Sequence, residues 1–151
     1  ISSLPKVAAI YAMYGGTQTR KYVAYVGITG NLKDRIIQHL VRRDSSITTG
    51  AQAVSLNPDK VTEIRWWQHE GFSDGNYRAA AETVAFEVLD PVLRSRGNIT
   101  EKAKEITSSS EFKVQMRKLL KSEPAGNLVI PNLKSALDRI AELERKLAKQ
   151  K

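Results

Sequence analysis

The sequence predicts a small basic chain of mixed α+β class. Two apolar runs rich in aromatic and β-branched residues, 7–14 and 22–28, lie close enough to pair as an antiparallel hairpin. A third such run spans residues 61–68. Stretches with helical periodicity follow the hairpin and fill most of the second half. With 151 residues the chain suits one domain, or one domain with an appendage.

Each element has a local cause. Gly15-Gly16-Thr17 begins a turn, which leaves a hairpin loop of about five to seven residues. Thr29-Gly30-Asn31 breaks the second strand. Asn31 is a good N-cap, and Asp34 sits where a carboxylate suits the helix dipole. A helix is expected over residues 32–43, with Leu32, Ile36, Ile37, Leu40 and Val41 as its apolar arc. Arg35, His39 and Arg42 then form a separate stripe. Residues 44–60 are rich in Ser, Thr, Gly, Asn and Asp and read as a long loop.

Phe72-Ser73-Asp74-Gly75-Asn76 forms a turn ending in a helix cap, and residues 77–89 form a mostly apolar helix that Pro91 ends or bends. Further helices are expected over 100–106 and 111–121, with a breaker-rich linker at 123–127. The last helix begins near Pro131. Its Leu133, Leu137, Ile140, Leu143 and Leu147 are spaced by 4, 3, 3 and 4, close to a heptad seam. Such a helix either lies on its own domain, forms a short coiled coil in a homodimer, or is a stalk to another domain.

Composition narrows the partners. The formal net charge is +8, and polyanions, nucleic acid above all, are the natural ligands of such a chain. Residues 1–97 hold 12 Lys/Arg and 9 Asp/Glu, whereas residues 98–151 hold 12 and 7, so the shorter segment is the more basic. There is no cysteine, which excludes thiol chemistry, zinc fingers and a disulfide framework and fits a cytoplasmic setting. No apolar run approaches the ~20 residues of a membrane span, so no membrane partner is expected.

Several residue types point to phosphodiester chemistry. That reaction needs a nucleophilic water, a proton acceptor, positive charge at the phosphate and help for the leaving oxygen. Glu82 falls on an apolar face with Ala79, Ala85, Phe86 and Leu89. A bare charge there is costly, so it must be protonated, bound to a metal or paired, with Arg35 as one candidate partner. The Arg35 guanidinium matches phosphate geometry, and His39, one turn on, could take a proton or steady a phosphate. Arg42 and Arg43 extend the positive stripe, and Lys33, Lys60, Arg65 and Arg78 could continue a backbone track.

Tyr11 and Tyr25 lie on the two hairpin strands, where tyrosines are usually packing residues. Gly27 lies on the same face as Tyr25, and a glycine within a strand suggests close approach of another group. Trp66-Trp67 is either a base-stacking platform or, for at least one ring, part of the core.

The joint order and spacing of these residues resembles the GIY-YIG nuclease family. Ala9-Ile10-Tyr11 is similar to the first motif, with Ala in place of the usual Gly, and Tyr25-Val26-Gly27 to the second, with Val for Ile. The run YVGITGNLKDRIIQH over residues 25–39 is close to the family's strand–helix signature. Arg35, His39 and Glu82 fall on the family's arginine, histidine and metal-binding glutamate, the last nine residues before Pro91. The family asparagine would fall at residue 94, which is arginine, and Asn98 stands four residues late.

The resemblance covers residues 7–98 and leaves 99–151 as a basic helical extension. It implies a three-stranded antiparallel sheet flanked by helices, and a DNA endonuclease with RNA as a further candidate substrate. One Mg²⁺ or Mn²⁺ would be held by Glu82. Tyr11 or Tyr25 would help to deprotonate the attacking water, with His39 assisting, and Arg35 would stabilise the charge on phosphorus. Two other readings stand beside it: an inactive nucleic-acid-binding module, and a protein-interaction adaptor acting through the C-terminal helices.

Overall fold

The sheet has four strands. The computed structural model describes residues 4–17, 19–41, 60–92, 99–130 and 143–149. Strands β1 (Ala9–Gly16), β2 (Lys21–Thr29), β3 (Val61–Trp67) and β4 (Gly126–Val129) form one antiparallel sheet in the order β2-β1-β3-β4. The α+β class agrees with expectation, whereas the expected three strands become four. Residues 123–127 read as a linker because of their proline and glycine, yet the chain turns there and pairs with β3 from Gly126 onward. Gly126 lacks the side chain that would make a strand legible, and its partner lies sixty residues upstream.

Helix α1 (Leu32–Ile36) is capped by Asn31, whose side chain accepts from the Asp34 amide, as the cap signal indicates. The continuous helix expected to residue 43 is broken in character: a π-turn takes over at Ile37–Val41. Helix α2 (Gly75–Leu89) starts on the Asp74 side chain, which accepts from the Asn76 amide. It stops at Asp90, which takes the left-handed conformation (φ 47°) just before Pro91. A 3₁₀ turn at Glu70–Ser73 leads into it. Helices α3 (Glu101–Ser108) and α4 (Ser110–Lys121) are capped by Thr100 and Ser109.

The period-two pattern of the strands sends alternate residues to two cores. One face carries Tyr11, Met13, Tyr25, Ile64 and Trp66, and is covered by Leu32 and Ile36 of α1 together with Leu4. The other carries Ile10, Ala12, Tyr14, Val26 and Trp67. There Ala80, Ala81, Val84 and Ala85 of α2 pack with Ala103 of α3 and Phe112, Met116 and Leu120 of α4. The core therefore runs across the boundary expected after residue 98. Trp66 and Trp67 are both buried, one on each face.

Across the first face the strand register sets four residues in a row: Gly27 on β2, Tyr11 on β1, Trp66 on β3 and Gly126 on β4. A Cβ at residue 27 would fall on the Tyr11 hydroxyl end, and a Cβ at residue 126 would fall on the Trp66 indole. The two large rings thus splay apart, each over a glycine of the outer strand.

Residues 143–149 are helical and exposed, in keeping with the last expected helix; its earlier turns lie outside the described residues. Among the described residues, no helix is long and apolar enough to cross a membrane.

Candidate active site

The tyrosine–histidine–arginine cluster forms where the hairpin meets α1 and its π-turn. Tyr11 projects from the central strand β1 and is fully buried. Its ring lies over Gly27, which steers the hydroxyl toward α1. His39, in the π-turn, is only 1% exposed, unlike the surface histidine its position in a helical stripe suggests. Its Nε2 lies 2.9 Å from the Tyr11 hydroxyl. Arg35, in the last turn of α1, donates from Nε to the same hydroxyl at 3.3 Å. Tyr25 completes the cluster, its ring 5.4 Å from His39 in an edge-on arrangement and 6.1 Å from Tyr11.

Proton positions follow from these contacts. Arginine is a donor only, so the Tyr11 oxygen accepts from Arg35 and its own proton can turn to His39 Nε2. That arrangement requires the histidine tautomer with its proton on Nδ1. Burial, with Tyr25 beside it, pushes the Tyr11 phenol well above its usual range, and the Arg35 charge only partly offsets this. Tyr11 is therefore a neutral phenol. Burial would lower the Arg35 pKa, but the Tyr11 and Tyr25 phenols outweigh it and leave the guanidinium firmly charged.

Glu82, on α2, lies near enough to Arg35 for the two charges to interact. Burial pushes its carboxyl up to about 7, and the positive charge of Arg35 pulls the other way without restoring the ordinary value. The apolar helix surface read from sequence is thus the setting that perturbs it. Arg78 stands one turn earlier and donates from Nη1 to the Phe72 carbonyl at 2.7 Å. Its guanidinium borders Gly30, in the turn between β2 and α1. One arm of Arg78 is thereby committed to the entry of α2.

Lys33 is half-buried on α1, and its backbone N–H donates to the Pro5 carbonyl. Arg42, Arg43 and Asn98 lie outside the described residues. Arg65 is drawn inward: its Nε donates to Glu63 at 2.9 Å, and its guanidinium lies 4.5 Å over the Tyr14 ring. Its charge serves the fold. The two tryptophans, being buried, offer no open stacking platform.

One residue of the cluster was not singled out by sequence. Gln38 accepts at Oε1 from Arg35 Nη1 at 3.1 Å. Its place three residues after Arg35 was the available signal. A separate open groove of about 430 Å³, lined by Val7, Ala8, Gln68, His69, Glu70 and Ser73, includes none of the cluster's residues.

Comparison with protein-family models, curated proteins and solved structures finds no match to this chain.

Proposed function

We propose that the chain is a divalent-metal-dependent endonuclease that hydrolyses phosphodiester bonds in DNA, as its resemblance to the GIY-YIG nucleases implies. The observation that carries this reading is the shared Tyr11 hydroxyl, held between His39 Nε2 and Arg35 Nε. It joins a proton acceptor to a phosphate-matching cation at one atom. Glu82 stands within the field of the same arginine.

On this reading Glu82 would be the protein ligand of a hard cation. Glu82 offers one oxygen ligand whose charged form burial disfavours, and a second positive charge beside it would restore that form. Among the described residues, no group of three or more His, Cys, Asp or Glu is gathered to hold a metal. Mg²⁺ or Mn²⁺ suits such a site, because these ions keep several waters and use one or two carboxylates. When bound, the ion would polarise the phosphate oxygens and acidify the attacking water.

The side chains would do the rest. Tyr11, neutral in the resting site, would take a proton from the water while passing its own to His39. A direct phenolate base is disfavoured by burial. Arg35 would stabilise the charge that builds on the phosphoryl oxygens. The net charge of +8 would draw the polyanion in.

The experiment is cleavage of labelled single-stranded, duplex and branched DNA and of RNA, with and without Mg²⁺ or Mn²⁺. Glu82→Ala runs beside the wild type. Metal-dependent cutting that disappears in the variant supports the reading. Salt-sensitive binding without cutting by either protein overturns it in favour of an inactive binding module. Neither cutting nor binding would favour an adaptor.

A further inference from the structure

Two arginines of this domain are held in opposite electrostatic ways. Arg65 meets a carboxylate: Nε lies 2.9 Å from Glu63 Oε2 and Nη2 lies 3.3 Å from Oε1. The fork is filled, and Lys21 and Asn127 complete the coordination of the same acid. Such an arginine spends its fork on a carboxylate within the fold, one that Lys21 shares. Arg35 meets a phenol at Nε and the amide oxygen of Gln38 at Nη1. Both of these hydrogen-bond partners are uncharged, and the carboxyl of Glu82, whose charge interacts with Arg35, is held toward its neutral form by burial.

We propose that Gln38 is a positioning residue that tethers Arg35 without cancelling its charge, so that the cation stays available to a phosphate. This rests on the reading of Arg35 as a phosphate-binding group. An unheld arginine loses much side-chain entropy when it binds a ligand. Hydrogen bonds at Nε and Nη1 fix the plane of the guanidinium in advance. They engage two of its five N–H groups. A carboxylate at position 38 would hold the arm more tightly, but its negative charge would compete with the incoming phosphate. An amide gives the orientation without the competing charge.

The local backbone serves the same end. Gln38 and His39 are consecutive residues of the π-turn, and they address Arg35 and the Tyr11 hydroxyl respectively. π-turns are frequent where a helix carries a functional site.

A purely structural role and a neutral tether make opposite predictions for Gln38→Glu. If the residue only props up Arg35, this substitution should be harmless, since it strengthens the bond to the guanidinium. If neutrality matters, phosphate affinity should fall while the fold stays as stable or gains. Gln38→Met, which keeps the shape and removes the acceptor, separates loss of the tether from addition of charge. The measurements are thermal melting, the Arg35 Nε–H signal by NMR, and titration with inorganic phosphate and with a non-cleavable phosphorothioate duplex.

The expected result is a wild-type Arg35 signal that shifts on phosphate addition. Gln38→Glu should retain the signal but bind phosphate and duplex roughly ten- to a hundredfold more weakly. Lowering the pH so that the introduced acid protonates should recover its affinity relative to wild type. Gln38→Met should lose signal sharpness and only a few-fold in affinity. Wild-type affinity in Gln38→Glu, or a larger loss in Gln38→Met than in Gln38→Glu, overturns the proposal. So does an Arg35 signal that phosphate leaves unmoved in the wild type. A wild type that binds phosphate at Arg35 but cuts no nucleic acid removes the nuclease reading and leaves the tether standing.

Discussion

Tyr11 and Gly27 stand opposite each other on β1 and β2, and the tyrosine hydroxyl occupies the space that a side chain at residue 27 would need. The glycine lets the ring lie across the neighbouring strand, and this places the hydroxyl beside His39 and Arg35. Alanine is ordinarily better than glycine within a strand by roughly 0.5–1 kcal/mol. Here the sign reverses. Gly27→Ala should destabilise the domain by about 1–3 kcal/mol through overpacking. It should also lower cleavage more than the melting temperature suggests, because the displaced hydroxyl is the shared atom. Calorimetry and the cleavage assay together check this.

Tyr11→Phe removes that shared atom while keeping the ring. The loss of two hydrogen bonds in a buried site should cost about 1–3 kcal/mol. Cleavage should fall by about 10²-fold or more, the usual scale for losing proton transfer. Tyr25→Phe, whose ring packs beside the same histidine, should be milder on stability. A Tyr11→Phe protein with wild-type turnover would remove the tyrosine from the mechanism.

Glu82 sets a pH signature. Its folded-state carboxyl is raised to about 7 from an ordinary value of 4.5, so the folded protein holds this proton more tightly than the unfolded chain. Its favourable contribution is full below about pH 4.5 and is lost as pH rises through 7. Above that, the ionised side chain costs about 2 kcal/mol, allowing for partial exposure. Glu82→Gln should therefore raise stability at alkaline pH and change little at acid pH, while abolishing metal-dependent cutting. Melting curves across that range test the sign. Added Mn²⁺ should stabilise the wild type and not the variant.

Glu63 has the opposite sign. Burial would raise its carboxyl, but hydrogen bonds from Arg65, Lys21 and Asn127 outweigh it and lower the value to about 2. The stability it supplies is present above the ordinary 4.5 and is lost as pH falls through 2. Glu63→Gln should destabilise the neutral protein by about 2–3 kcal/mol. Because Asn127 lies on β4, hydrogen exchange should show that strand opening first.

Gly126→Val tests the other end of the glycine–aromatic row. A side chain at residue 126 would strike the Trp66 indole, so the ring must move or β4 must leave the sheet. A shifted tryptophan emission spectrum with loss of β4 protection is expected. An unchanged spectrum would show that the row is not tightly packed.

The local signals named most elements. Apolar runs rich in aromatic and β-branched residues gave β1 to β3, and Asn31 and Pro91 marked helix ends that the structure keeps, whereas α2 begins at Gly75 on its Asp74 cap, two residues before the expected start at 77. These are short-range effects, fixed by neighbours in the chain. Strand β4 was illegible because Gly126 and Asn127 have poor strand propensity, and only pairing with β3 and the Trp66 ring makes them a strand. The fate of each polar residue was likewise undetermined by spacing. Arg35 and Arg65 are the same residue type in similarly mixed surroundings, yet one is held by neutral groups and the other by Glu63. His39 sat on a polar stripe in sequence and is buried in fact. Sequence by itself determined the class, the principal strands and helices and the set of candidate side chains, because propensity, capping and periodicity are local. Tertiary structure alone decided which of those side chains meet, since burial and pairing depend on residues far apart in the chain.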